Sequence, residues 1–200
     1  MYKLIKLVIA CGFLSILTAC ASMVDSMDKM IGVGQISVEK EVLDDSTTVK
    51  LTPAFLTDDV SDYGLNNYKL GGRWNSQAPE TIFFELNYDS QVGGNAYTGF
   101  EGITIRINGR SQRFDNVGTT NLSSSSYNTV TNTIYTESSG VVPVPLETVE
   151  NMVSADDVRL RIHSSDGYED SIFSADRTTS GQKLARPYFQ AFIVEVKKHE

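Results

Sequence analysis

Thr81-Ile82-Phe83-Phe84-Glu85-Leu86-Asn87-Tyr88 decides the fold class. Successive side chains of an extended chain point to opposite sides. Ile82, Phe84, Leu86 and Tyr88 therefore share one face, and Phe83, Glu85 and Asn87 share the other. A period of two with one apolar face predicts a half-buried strand. Phe84 and Leu86, with Ile162 and Phe192 elsewhere, are expected core residues.

The same pattern recurs on both sides of this stretch. Ile36–Leu43 alternates, with Ile36, Val38 and Val42 on one side, and Asp44-Asp45-Ser46 supplies a turn into a second strand from Thr47. Pro53 has no amide hydrogen, so that strand is expected to bend or lie at an edge there. Ile103–Phe114 reads as a hairpin closed by Asn108-Gly109, the preferred pair for a type I′ turn. That turn opposes Ile107 to Arg110, Ile105 to Gln112 and Ile103 to Phe114.

Further along, Val141–Leu146 is extended because Pro143 and Pro145 exclude helix. Leu146–Ala155 is the one helix expected. Leu146, Val149, Met152 and Val153 recur at helical spacing, and Pro145 stands at its start. Val158, Leu160 and Ile162 then alternate with Arg159, Arg161 and His163; Ser165-Asp166-Gly167 turns the chain, and Tyr168–Phe173 returns. Tyr188–Lys197 is apolar on both alternating faces, which predicts a central last strand. The expected fold is an antiparallel β-sandwich with one short helix before the C-terminal strands. The run of helix, strand, tight turn and strand loosely resembles the C-terminal part of several small secreted bacterial β-sandwich proteins, where a helix caps one end of the sandwich, and the resemblance brings no site residues with it.

Two polar stretches are expected as loops. Val117–Asn132 is rich in Ser, Thr and Asn, whose side chains compete for backbone hydrogen bonds. Thr57–Glu80 carries Asp58, Asp59 and Asp62, then Tyr63, Tyr68 and Trp74 among glycines. Loops held by a rigid scaffold often carry binding residues, and Tyr and Trp bury much area with few rotatable bonds. Tyr63, Tyr68 and Trp74 are therefore the candidate ligand contacts, against the alternative that their rings pack on the sandwich. Arg106, Arg110 and Arg113 form a basic patch, read first as solvated strand residues and otherwise as a contact for carboxylate or phosphate.

The first residues read differently. Lys3 and Lys6 precede the apolar run Leu7–Leu17, the composition of a secretory signal. The run is shorter than the roughly 20 residues that span a bilayer. Leu17-Thr18-Ala19-Cys20 follows and resembles the lipobox of bacterial lipoproteins. The resemblance implies cleavage before Cys20, acylation of its sulfur and new amine, and, with Ala21 rather than Asp next, delivery to the outer membrane. Residues 1–19 are then the signal peptide and 20–34 the lipidated cysteine and tether. Residues 35–200 form the sandwich domain. Met23, Met27, Met30 and Ile31 fall on one helical face of a tether otherwise read as a flexible spacer. Stable anchoring takes more than one acyl chain, which a mature lipoprotein has.

The chain has 17 Lys+Arg against 25 Asp+Glu. Without Lys3 and Lys6 the balance is 15 − 25, or −10. Such a domain repels phosphate backbones, which argues against nucleic acid as a partner. Cys11 leaves with the signal and Cys20 is committed to lipid, so no intramolecular disulfide is expected.

No Gly-x-Ser-x-Gly elbow or phosphate-cradling glycine motif occurs. With two histidines and no free cysteine, a zinc site is not expected. Asp166, Glu169 and Asp170 near one turn offer calcium a weak alternative to a plain turn. No catalytic residue, metal or cofactor is assigned. The expectation is a non-catalytic, lipid-anchored outer-membrane module that binds another envelope protein or a glycan, or serves a structural role. The alternative is a lipid-anchored hydrolase of cell-wall or surface polysaccharide.

Overall fold

A computed structural model of the chain describes residues 32–56, 67–91, 97–125, 134–178 and 181–200. The structure is mainly β, with two antiparallel sheets and two helices among the described residues. One sheet has six strands in the order β1-β2-β3-β4-β8-β7. These are β1 (Ile36–Lys40), β2 (Thr47–Phe55), β3 (Asn67–Asn75), β4 (Thr81–Gln91), β7 (Asn121–Ser124) and β8 (Tyr135–Pro145). The other has four, in the order β10-β9-β5-β6: β5 (Phe100–Ile107), β6 (Arg110–Asp115), β9 (Val158–Ser164) and β10 (Gly167–Ile172). Helix α1 is Leu146–Ser154 and α2 is Ala185–Val196.

The apolar faces of both sheets share one core. Ile82, Phe84 and Leu86 of β4 have no exposed surface, and Ile103 and Ile105 of β5 and Leu160 and Ile162 of β9 are buried in the same cluster. The Asn108-Gly109 turn has positive φ at both residues, 48° and 87°, which is the type I′ geometry. Its register opposes Ile107 to Arg110 and Ile103 to Phe114, as expected. Helix α1 buries Leu146, Val149, Met152 and Val153, the four residues that recur at helical spacing.

Pro143 sits inside β8 without loss. Val141 N–H donates to Asn116 Oδ1 at 2.7 Å and its carbonyl accepts from Val117 N–H. Val141 thus turns its backbone groups away from β4, and by alternation Pro143 does the same. Strand β7 reaches only as far as Ser139, so no ladder bond is forfeited at Pro143. At Pro53 the β2–β3 register shifts between Leu51 and Ala54, the bend its missing amide requires.

Four expectations are corrected. The C-terminal element is the helix α2, not a central strand. Phe189, Phe192, Ile193 and Val196 are buried at helical spacing, whereas Val194, which a strand would bury, is 61% exposed. Pro187 lies in the first turn, where a missing amide hydrogen costs nothing.

Second, Thr57–Glu80 is not one loop, because Asn67–Asn75 is a full strand between β2 and β4. The glycines that suggested a loop mark close approach instead. A Cβ on Gly71 would meet Leu51 O at 2.8 Å, and one on Gly72 would meet the rings of Phe189 and Phe192. Third, Val38 is 43% exposed on the edge strand β1, and Val42 and Leu43 stand in the exposed turn after it. That stretch is an edge, not a half-buried strand. The polar segment Asn121–Ser124 is likewise a short edge strand and not loop.

Candidate functional site

The structure disposes of part of the aromatic hypothesis. Trp74 has no exposed surface, and its indole N–H donates to Pro79 O at 2.9 Å. A ring so enclosed packs the core and cannot meet a partner at the surface. Tyr68 is half-buried between the sheets, its ring 4.8 Å from Tyr88 and 6.1 Å from Phe100 by centroids. Its hydroxyl lies 3.5 Å from Ser164 Oγ. Tyr63, like Cys20 and the methionines of the tether, lies outside the described residues, as do Asp58, Asp59 and Asp62. The carboxylates considered for calcium diverge: Asp166 accepts from Thr98 Oγ1 and Asp170 holds Arg161.

What the fold does bring together is the polar face of the four-stranded sheet. Because Val158, Leu160 and Ile162 point inward, Arg159, Arg161 and His163 point outward. Thr104 and Arg106 of β5 lie opposite Arg161 and Arg159. Ser111 of β6 lies opposite Arg106 on its other side. Together with Asp170 of β10 these residues line a groove of about 450 Å³. Three arginines and one carboxylate in the groove give +2 from 3 − 1 with His163 neutral, on a chain whose net charge is −8.

The charges are unequally satisfied. Arg161 makes a bidentate pair with Asp170, at 2.6 and 2.7 Å, and its guanidinium lies 4.0 Å from the Tyr168 ring centroid. The hydrogen bond to Arg161 holds the Asp170 carboxyl below its ordinary range. Arg159 reaches Asp157 at 3.4 Å, and Arg113 reaches Asp115 at 3.0 Å. Arg106 has no carboxylate partner among the described residues. Its cross-strand neighbour is Arg159, and Arg161 and Arg113 stand on the diagonals. Like charges directly opposite on a sheet are destabilising.

His163 lies 2.8 Å from Thr104 Oγ1 through Nε2. Burial pushes its pKa down, and the nearby Arg113 and Arg161 cations add to that. A hydroxyl touching an imidazole is two-thirds of a nucleophilic triad, but the base needs a third group to orient it. The carboxylate that lines the groove, Asp170, is committed to Arg161 on both oxygens. The arrangement is thus suited to holding an anion: guanidinium forks, hydroxyls and a partly buried imidazole converge on one cleft.

Sequence reasoning found Arg106 and Arg113 but grouped them with Arg110. The structure separates them. Arg110 lines a different cleft, with Asn151 and Ser154 of α1, and its place is taken by Arg159 and Arg161. The alternation Val158-Arg159-Leu160-Arg161-Ile162-His163 already set three cationic or titratable side chains on one face. The pairing of β9 with β5 was the missing piece. The chain matches no family model, no curated protein and no solved structure.

Proposed function

We propose that the chain is a bacterial lipoprotein, acylated on Cys20 and carried to the outer membrane, whose β-sandwich is a non-catalytic binding module of the envelope. The observation that carries the first half is Leu17-Thr18-Ala19-Cys20 after a basic start and a short apolar run. Among the described residues no helix is long and apolar enough to cross a membrane. Acyl chains on Cys20 are thus the membrane contact this reading invokes. The binding half is supported by the arginine-lined groove, whose charge is opposite in sign to that of the chain.

The test is Cys20→Ser. The wild-type protein should sediment with membranes and carry a mass increment of three acyl chains on its new N-terminal cysteine. The variant should leave the membrane fraction, with the signal uncleaved or cleaved elsewhere. An unmodified Cys20 in the wild-type protein contradicts the anchor.

A further inference from the structure

We infer that the outer face of the four-stranded sheet binds an acidic saccharide, with Arg106 and Arg159 on its carboxylate or phosphate group and Tyr168 beside its sugar ring. This deepens the binding-module reading and rests on it. Three observations support the ligand class. Arg106 stands opposite Arg159 with no carboxylate of its own among the described residues, so an anion entering beside them relieves their repulsion. An oxyanion between two guanidinium groups accepts charge-assisted hydrogen bonds from both.

Ser111, directly across from Arg106, and Thr104, directly across from Arg161, supply hydroxyls at the groove wall. These suit the remaining oxygens of a phosphate or carboxylate, or a sugar hydroxyl.

Tyr168 is 63% exposed and Ile172, two alternations along the same edge strand, is 58% exposed. Both lie on the groove side of β10 with Asp170 between them. Arg161 covers one side of the Tyr168 ring, and an exposed, rigid amphipathic ring held in this way is a stacking surface for a sugar. The overall −8 charge opposes a densely charged polyanion. It admits a short saccharide with few anionic groups, such as a sugar monophosphate or a short uronate oligomer.

The experiment uses the full acylated chain in neutral detergent micelles and isothermal titration at low salt. The probes are an oligogalacturonate for the carboxylate, glucose 6-phosphate for the phosphate, and a malto-oligosaccharide as the neutral counterpart. Glycerol 3-phosphate stands for a lipid headgroup, and inorganic phosphate for the bare anion. The inference expects at least one of the two acidic sugars to bind, more tightly than both non-sugar phosphates, with no heat from the neutral oligosaccharide.

The variant Arg106→Gln/Arg159→Gln should weaken that binding at least about tenfold, since each lost charge-assisted hydrogen bond has a value of that order, while its melting temperature stays that of the wild type. Tyr168→Ala should weaken it by a smaller factor and leave inorganic phosphate unaffected. Absence of acidic-sugar binding by folded protein overturns the inference, and so does undiminished binding by the double variant. Tighter binding of glycerol 3-phosphate or inorganic phosphate than of either sugar overturns the saccharide assignment. Release of new reducing ends from the oligogalacturonate would instead overturn the non-catalytic reading, so the two failures are told apart.

Discussion

On the outer face of the six-stranded sheet, Lys69 meets Asp89 at 2.5 Å and Arg73 meets Glu85 at 3.4 Å. Lys50 stands opposite Arg73 there, but Glu39 is on its diagonal across β1. On the outer face of the four-stranded sheet, the positions around Arg106 hold Arg159, Arg161 and Arg113, and the diagonal carboxylate Asp157 is already held by Arg159. Both faces point away from the shared core, on strands whose other side is buried. The first sets a carboxylate against two of its cations, while the second gathers its arginines around Arg106. The difference teaches where to look for a contact. A face that meets its cations with carboxylates is explained by stability and solubility, and a cluster of arginines around one without a carboxylate points to something outside the chain.

The largest effects should come from the buried sides that support these faces. Phe84 has no exposed surface and packs edge-to-face on Phe189 of α2, with ring centroids 5.3 Å apart. Phe84→Ala should cost about 3–5 kcal/mol, as truncations of buried aromatics do, and lower the melting temperature by roughly 10 °C. A fall of one or two degrees would mean that the shared core is wrongly assigned.

Next is the balanced outer face. Lys69 and Asp89 are both mostly buried side chains, so Asp89→Asn should cost about 1 kcal/mol by weakening a charge-assisted hydrogen bond to a desolvated ammonium. No change in denaturant midpoint would place this pair with ordinary exposed ion pairs and erase half the contrast.

These magnitudes also show how the sequence could be read and where it could not. Strands β4, β5 and β9 were legible because each alternates cleanly over five or more residues, and the hairpin because Asn-Gly strongly favours one turn geometry. Helix α1 was legible because no period-two reading fits Leu146, Val149, Met152 and Val153. Helix α2 was not, because Tyr188, Phe189, Phe192, Ile193 and Val196 satisfy both periods in so short a run. Strand β3 was hidden by Gly71-Gly72, which the strand needs opposite the bulge of β2 and beneath the rings of α2. The groove draws on β5, β6, β9 and β10, so its members were visible singly, and their meeting depends on pairings that local sequence does not encode.

The four-stranded face can be probed by pH. The pKa of His163 in the folded chain lies below its ordinary 6.5, through burial first and then through Arg113 of β6 and Arg161 of β9. Glu101 of β5 and Asp170 of β10 pull the other way. Between 6.5 and that lower value the unfolded chain takes up a proton that the folded chain refuses. Stability therefore falls as pH drops through that window and levels off below it. His163→Gln should flatten this slope when chemical denaturation is followed across the window. An unchanged slope would show that the imidazole is not held neutral by burial and its cationic surroundings.

The smallest expected effect tests the central claim most directly: the stability of Arg106→Gln, measured by thermal and urea unfolding at low salt without added ligand. Removing one member of a facing like-charge pair should leave stability within about 0.5 kcal/mol of the wild type or raise it slightly. The rise should fade as salt screens the repulsion. A loss above about 1 kcal/mol would show that Arg106 is held by the fold itself. The account of an outer face left charged for a partner would then be contradicted.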